Sequence, residues 1–347
     1  MRLPPRSPSR VVWEEGMYLA PHHFQAQRRH AEETVVHTVA SLFPYAFGLT
    51  SVSIDAEALA SGTLALQSAR GIMPDGTTIA IPDADPVPPP SSLINRFSPD
   101  RDAHVIHLAL PHWRSDSSNV RLAEEAAGLS FGAAAPENGE PRFDEVIAEV
   151  RDETSGVDAV AVHFAAKHLR LALDSELRSD EITLPVARLR RDGAGRFVLD
   201  PEFIPPCLSI AASERLIGML RRVVQMLEAK GAALASTLVP ASSSGAASAP
   251  VAYVGNELAT LWLLHAVRSA EAPLRHLLAT RRAHPEEMWH ELSRLAGALC
   301  TFSLTLQARD LPLYAHDDLS HCFAELERHL REHLDVAVAA KDRKSVV

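Results

Sequence analysis

Cysteine is scarce in this chain. Cys207, Cys300 and Cys322 are the only three in 347 residues and none forms a CxxC pair, which argues against a zinc ribbon or a disulfide framework and fits a reducing compartment. Each reads as a small buried hydrophobe. Long apolar runs are also missing: none reaches the ~20 residues that span a bilayer. The opening MRLPPRSPSR gives way to polar and acidic residues before the apolar core of a signal peptide can form. The chain is expected to be cytoplasmic. A positive surplus is absent too. The net charge of -10 gives no general attraction to nucleic acid or anionic membrane and favours basic partners.

Catalytic signatures are equally lacking. No GxSxG elbow, Walker-type loop or GxGxxG follows a strand pattern, so nucleophilic and nucleotide chemistry have no motif to stand on. HPEEMWHEL holds His284, Glu286, Glu287, His290 and Glu291 without HExxH spacing; Pro285 instead marks a helix start, whose positive end suits the acidic residues. His23, His30 and His37 recur every seven residues, so each step along a helix rises about 10 Å, too far for one metal ion to bridge. Glu325, His329 and His333 share a helix face, a two- or three-ligand match that specifies little. No catalytic residue, cofactor or metal ligand is assigned, and neither a nucleic acid nor a small-molecule substrate is expected.

What is present is a chain with 46% hydrophobic residues, longer than a single core usually supports, which predicts two folded units. From about residue 47 to 199, short apolar stretches (HVIHLAL, EVIAEV, AVAVHFAA, HLRLAL) alternate with Pro, Gly, Asp and Ser turns, the pattern of an antiparallel sheet protein. ARGIMPDGTTIAIP reads as a hairpin around Asp75-Gly76, and PDADPVPPPSSL as a stiff spacer. Ahead of it, Phe24, Val35, Val39 and Leu42 fall near helical spacing, with Pro21 allowed in the first turn. After DPEFIPPCLSI the period turns helical: Leu216, Met219, Leu220, Val223, Met226 and Leu227 share one face, with Ser213 as N-cap. Three more helices are predicted over 256–278, 284–307 and 317–339. The fold class is α+β multidomain: an antiparallel β-sandwich-like domain, then an antiparallel helical bundle.

The stretch WEEGMYLAPHHFQAQ resembles the N-terminal signature of the type VI secretion baseplate subunit family TssK, in which Trp, Gly-Met, a Pro-His pair and Phe-Gln recur in this order. LPVARL, GRFVLDPEFIPPCLSIAAS, HPEEMWHELSRLAGALCTF and LPLYAHDDLSHCFAEL look like the family's domain junction and helical region. The resemblance implies a cytoplasmic, non-enzymatic homotrimer. Its β-rich shell, similar to the shoulder of phage receptor-binding proteins, docks wedge subunits of the TssF and TssG type. Its helices form a neck, and a C-terminal head contacts the membrane complex (TssJ, TssL and TssM type) at the inner membrane.

On that resemblance the chain divides into a flexible 1–10, a shell over 11–200, a Pro-rich hinge over 201–210 and a neck over 211–340 with a flexible loop at 237–250. The segment 341–347 has no family counterpart, and the head is expected to be missing. The motif residues Trp13, Gly16, Met17, Tyr18, Pro21, His23 and Phe24 then belong to the shell's core or to its trimeric or wedge-facing surface. Aromatic anchors serve both roles. Pro205 and Pro206 would stiffen the hinge, because each restricts its own backbone and that of its predecessor. The second function class is a phage-derived receptor-binding or tail adaptor of the same architecture.

Overall fold

A computed structural model describes residues 9–94, 96–97, 101–123, 139–238, 255–302 and 307–339. The chain forms two compact units, Met1–Asp200 and Pro201–Val347. The expected 341–347 tail, nearly all of the 237–250 loop and most of the 1–10 stretch lie outside the described residues.

The first unit opens with α1 (Pro21–Leu42). Pro21 takes the first helical position, where a missing N–H is no loss. The spacing of Phe24, Val35 and Leu42 predicts this helix, but those side chains do not enter a core: all three are exposed and no α1 residue is fully buried. The helix rests on its unit through the other face, where the Arg29 guanidinium lies 4.7 Å from the centre of the Trp113 ring and Val36 packs on Gly76.

The strands follow: β1 (Gly48–Ile54), then a one-turn α2 (Ala56–Ala60) capped by Asp55, β2 (Thr63–Leu64), β3 (Leu66–Ile72), β4 (Thr78–Ile81), β5 (Ser91–Ser92) and β6 (Ala103–Pro111). Next come β7 (Val120–Arg121), β8 (Phe143–Arg151), β9 (Ala159–Lys167), β10 (Arg170–Leu173), β11 (Glu181–Arg191) and β12 (Phe197–Leu199). They pair into a four-stranded antiparallel sheet of order β10-β6-β11-β12, a three-stranded sheet β1-β3-β4, the pair β2-β5, and β7-β8-β9 with β7 parallel to β8. Alternation along β6 and β11 sends Ile106, Leu108, Leu110, Leu184, Val186 and Leu189 into the core. Pro185 cannot donate to a ladder, and it sits where the register against β6 shifts, one of the few places a sheet accepts proline.

The hairpin read from Asp75-Gly76 forms between β3 and β4, with a three-residue loop rather than a two-residue one. Met73 and Thr77 pair across it and Gly76 N–H returns to Met73 O at 2.9 Å, while Gly76 alone takes a positive φ of 87°. Arg142 fixes this loop from below. Its buried guanidinium donates to Pro111 O, Asp75 Oδ2 and Thr77 Oγ1 at 2.7, 2.8 and 2.6 Å.

The second unit is a bundle of α3 (Glu214–Leu238), α4 (Gly255–Thr280), α5 (Pro285–Cys300) and α6 (Leu319–Ala339). Each packs on the next, and α3 also meets α6. The predicted α3 face is buried through Leu216, Met219, Leu220, Val223 and Leu227, and Ser213 Oγ accepts from Leu216 N–H at 3.4 Å. At α5, His284 caps the helix: its Nδ1 accepts from Glu286 N–H at 3.1 Å and its own N–H reaches Glu287 Oε1 at 3.3 Å. That helix ends at Cys300 instead of residue 307, at a Thr301-Phe302 pair of weak helix formers. Likewise α3 includes 237 and 238, which the sequence assigns to a loop.

The Pro205-Pro206 hinge takes a form the sequence does not anticipate. Ile204, Pro205, Pro206 and Cys207 are all buried within the second unit. Ile204 N–H donates to Ser320 Oγ at 2.8 Å, Ser209 Oγ to Arg281 O at 3.0 Å, and Ile210 N–H to Ala283 O at 2.9 Å. Proline's extended backbone is suited to such a strap across helix ends, and burial of its apolar ring holds it there.

Candidate functional site

The N-terminal motif is built around a turn. Met17 N–H bonds to Glu14 O at 3.3 Å, and Gly16, third of the four residues, has a φ of 79°, the backbone a type II turn demands at that position. A side chain at Gly16 would meet nothing within 4 Å, so conformation rather than space calls for glycine. The turn sends the chain through Tyr18 to Ala20, where His23 Nδ1 accepts from Ala20 N–H at 3.1 Å. His23 therefore does the work that a third-position glutamate does in a capping box. Sequence reasoning misses this because histidine is not the usual residue there.

With α1 anchored, three rings gather at its start. The Trp13 ring centre lies 6.2 Å from His23 and 6.1 Å from Phe24, both tilted, within the range in which aromatic pairs attract. Trp13 remains 48% exposed, Phe24 57% and Tyr18 86%. Arg10, Val11, Trp13, Gln27, His30 and Thr34 line a shallow open groove beside the cluster. An exposed aromatic cluster beside a groove is suited to contact.

The histidine sets noted in the sequence do other things. His329 and His333 meet edge to face at 4.5 Å, and Glu325 Oε2 accepts from Arg328 at 2.6 Å. Among the described residues no group of three His, Cys, Asp or Glu is arranged to hold a metal ion. Burial lowers the affinity of His329 for a proton, and the neighbouring His333 lowers it further. All three cysteines are free and buried; desolvation pushes the Cys207 thiol up to about 12, which leaves it inert. No helix among the described residues is long and apolar enough to cross a membrane.

A buried polar cluster joins two helices of the bundle. Glu327 of α6, 4% exposed, accepts from Arg215 at 2.6 Å and from Arg222 at 2.8 Å, both on α3. Burial raises the proton affinity of its carboxyl, and the two guanidiniums outweigh that, so the pKa lies below the ordinary value. Lys230, also buried, donates to Leu334 O at 2.5 Å. These groups lock α3 to α6.

Comparison with known proteins agrees with this architecture. The chain is 35% identical over 336 residues to the type VI secretion system baseplate component TssK1 of Pseudomonas aeruginosa, an alignment covering 96% of this chain and 70% of that one. It superposes with a TM-score of 0.79 and 28% identity on a crystal structure of TssK, over 94% of this chain and 72% of that one. A chain in a cryo-electron microscopy structure of the type VI TssK-TssF-TssG baseplate subcomplex also gives a TM-score of 0.79 at 28% identity, with 94% and 99% covered. Residues 23–345 match the profile of the family described as bacterial type VI secretion, VC_A0110, EvfL, ImpJ, VasE, and on these grounds the chain belongs to that TssK-type family.

Proposed function

We propose that this chain is a structural subunit of a type VI secretion baseplate, that it assembles as a trimer, and that it holds wedge subunits of the TssF and TssG type through its N-terminal motif. It works by contact, without catalysis or a cofactor. The observation that carries this reading is the exposed Trp13–His23–Phe24 cluster, fixed by a glycine turn and a capped helix. Large aromatic side chains held rigidly at a surface lose little entropy on association and dominate the energetics of contacts that bury them. The similarity to a chain from a TssK-TssF-TssG subcomplex supports partners of the TssF and TssG type.

In the same reading the assembly works in the cytoplasm with the baseplate docked at the inner membrane, and the link to the membrane complex belongs to a head domain. Two measurements on the purified chain examine it. Light scattering is expected to give three copies, and co-expression with TssF- and TssG-type subunits is expected to yield a co-purifying complex. A monomer that leaves both wedge subunits behind contradicts the reading.

A further inference from the structure

Helix α4 has two opposite faces. Leu263, Leu264, Val267, Ala270 and Leu274 are buried where it packs on α3 and α5. On the far side Leu258, Trp262, His265, Ser269, Ala272 and His276, continued by Ala279, are all exposed. Their spacing alternates strictly between four and three residues, the 3.5-residue period of a coiled-coil seam. At 1.5 Å per residue the seam runs about 32 Å. Pro273 lies beside it and not on it, and the spacing continues past that residue.

This seam differs from the outward stripes of the other three helices. There α3 presents Arg221 and Glu228, α5 Glu287 and Arg294, and α6 Arg328, Arg331 and Glu332, as solvated helix faces do. The α4 seam carries no charge; Arg268 and Arg275 stand on its flank. Among the described residues, Leu258 and Trp262 are also the only large apolar side chains exposed on the four helices, at 50% and 60%. A strict 3.5-residue period fits another helix, because only a helix keeps its knobs and holes in step with it.

The polar members of the seam say which helix. His265, Ser269 and His276 each offer both a donor and an acceptor, so each can hydrogen-bond to its own counterpart. Lys, Arg, Asp or Glu at those layers would set like charges face to face. Around a symmetry axis every layer is one residue repeated, and an uncharged seam with self-complementary polar groups meets that condition. A different partner would impose no such rule, since one charge sign could then pair with the other.

We infer that α4 lines the three-fold axis of the assembly, with the Leu258–Ala279 seams of three copies packed in parallel. Trp262 is the large anchor near one end, and the small Ser269, Ala272 and Ala279 let the helices approach closely along the rest. This inference rests on the trimeric reading and specifies its interface: the seam sets the kind of contact, and that reading sets the number of copies. A helix about 10 Å wide and about 32 Å long covers roughly 300 Å² in projection against each of two neighbours. Their sum is on the order of the roughly 800 Å² per partner of a standard stable interface. The Trp13–Phe24 cluster is left to the wedge subunits.

Cysteine crosslinking of the full chain examines it. Leu258→Cys and Ala279→Cys, at opposite ends of the seam, should each give interchain disulfides on their own. Three thiols in one layer can close one disulfide, so the expected band on a non-reducing gel is a covalent dimer, from a particle that light scattering still reports as a trimer. Ala324→Cys, exposed on α6, should give none, and the native cysteines are buried and do not compete. Ala272→Lys places like charges in one layer. At this exposed site it should leave the fold intact by far-ultraviolet circular dichroism and raise the concentration for half-assembly at least about tenfold, while Ala324→Lys does not. Crosslinking only when Leu258→Cys and Ala279→Cys are combined would show antiparallel seams and overturn the inference. So would an absence of crosslinks, or an Ala272→Lys chain that assembles like the unmodified one. A monomeric unmodified chain would sink the trimeric reading itself; a trimer indifferent to these variants sinks only the seam.

Discussion

Gly76 lies so close beneath Val36 that a methyl group added to it would stand 2.6 Å from Val36 Cγ2. The loop that holds Gly76 is itself fixed by Arg142, so this contact sets where α1 sits, and with it the aromatic cluster at the start of the helix.

Gly76→Ala should therefore be costly for two separable reasons. The φ of 87° disfavours any side chain by about 1 kcal/mol, and the clash with a short, stiff valine adds a packing cost of about 1–3 kcal/mol. Thermal melting followed by circular dichroism should show a clear drop for Gly76→Ala. Adding Val36→Ala should recover the packing part and leave the backbone part. A Gly76→Ala protein as stable as the unmodified one would mean that α1 is not seated on this loop.

The Glu327 cluster predicts an order of effects. Removing the carboxylate takes away the buried partner of Arg215 and leaves it only the exposed Glu202, so Glu327→Ala should destabilise by about 1–3 kcal/mol. Arg222, about half exposed, should matter less, at about 1 kcal/mol or below. Denaturant titration of the two variants checks the ranking, and the reverse order would contradict the assignment of Glu327 as the pivot between α3 and α6.

Acid should weaken the fold in two stages. His107 and His329 hold protons less tightly in the folded chain than in the unfolded one, chiefly because burial disfavours the charged ring; Asp174 partly offsets this at His107. The unfolded state then binds the extra protons, so stability is whole above the ordinary histidine pKa of about 6.5 and declines as pH falls below it. Partly buried carboxylates with lowered values, Glu176 and Glu327 among them, act later: their contribution is present above about 4.5 and is lost as pH falls below that. Melting temperatures between pH 8 and 5 should fall less steeply for His329→Gln than for the unmodified chain. Equal slopes would remove His329 from the first stage.

Much of the fold is legible in the sequence where the signal is local. Ser213 and His284-Pro285 announce helix starts because capping involves neighbours three residues apart, and Asp75-Gly76 announces a hairpin because a positive φ leaves few choices of residue. The order β10-β6-β11-β12 is not legible, since each strand pairs with partners far along the chain. Burial is the commonest source of error. Phe24, Val35 and Leu42 have the spacing of a core-facing stripe and face outward, and Val146, Val150 and Val160 read as ordinary strand residues although no described element covers them. Pro205 and Pro206 show the reverse: their extended backbone was evident, but nothing local revealed that the second unit would enclose them. Periodicity tells which residues share a face; it does not tell what lies opposite.

The central claim is that the exposed cluster at the start of α1 is a contact site rather than a piece of core. The direct measurement is binding of the Trp13→Ala, Phe24→Ala double variant to an immobilised TssF–TssG-type subcomplex, alongside its melting temperature and its mass by light scattering. Because both rings are about half exposed, the account predicts a melting temperature within a few degrees of the unmodified chain, an unchanged trimer, and binding weakened by at least about 2 kcal/mol, or roughly thirtyfold. Unweakened binding by a folded variant, or a loss of fold that accounts for any weakening, would contradict it.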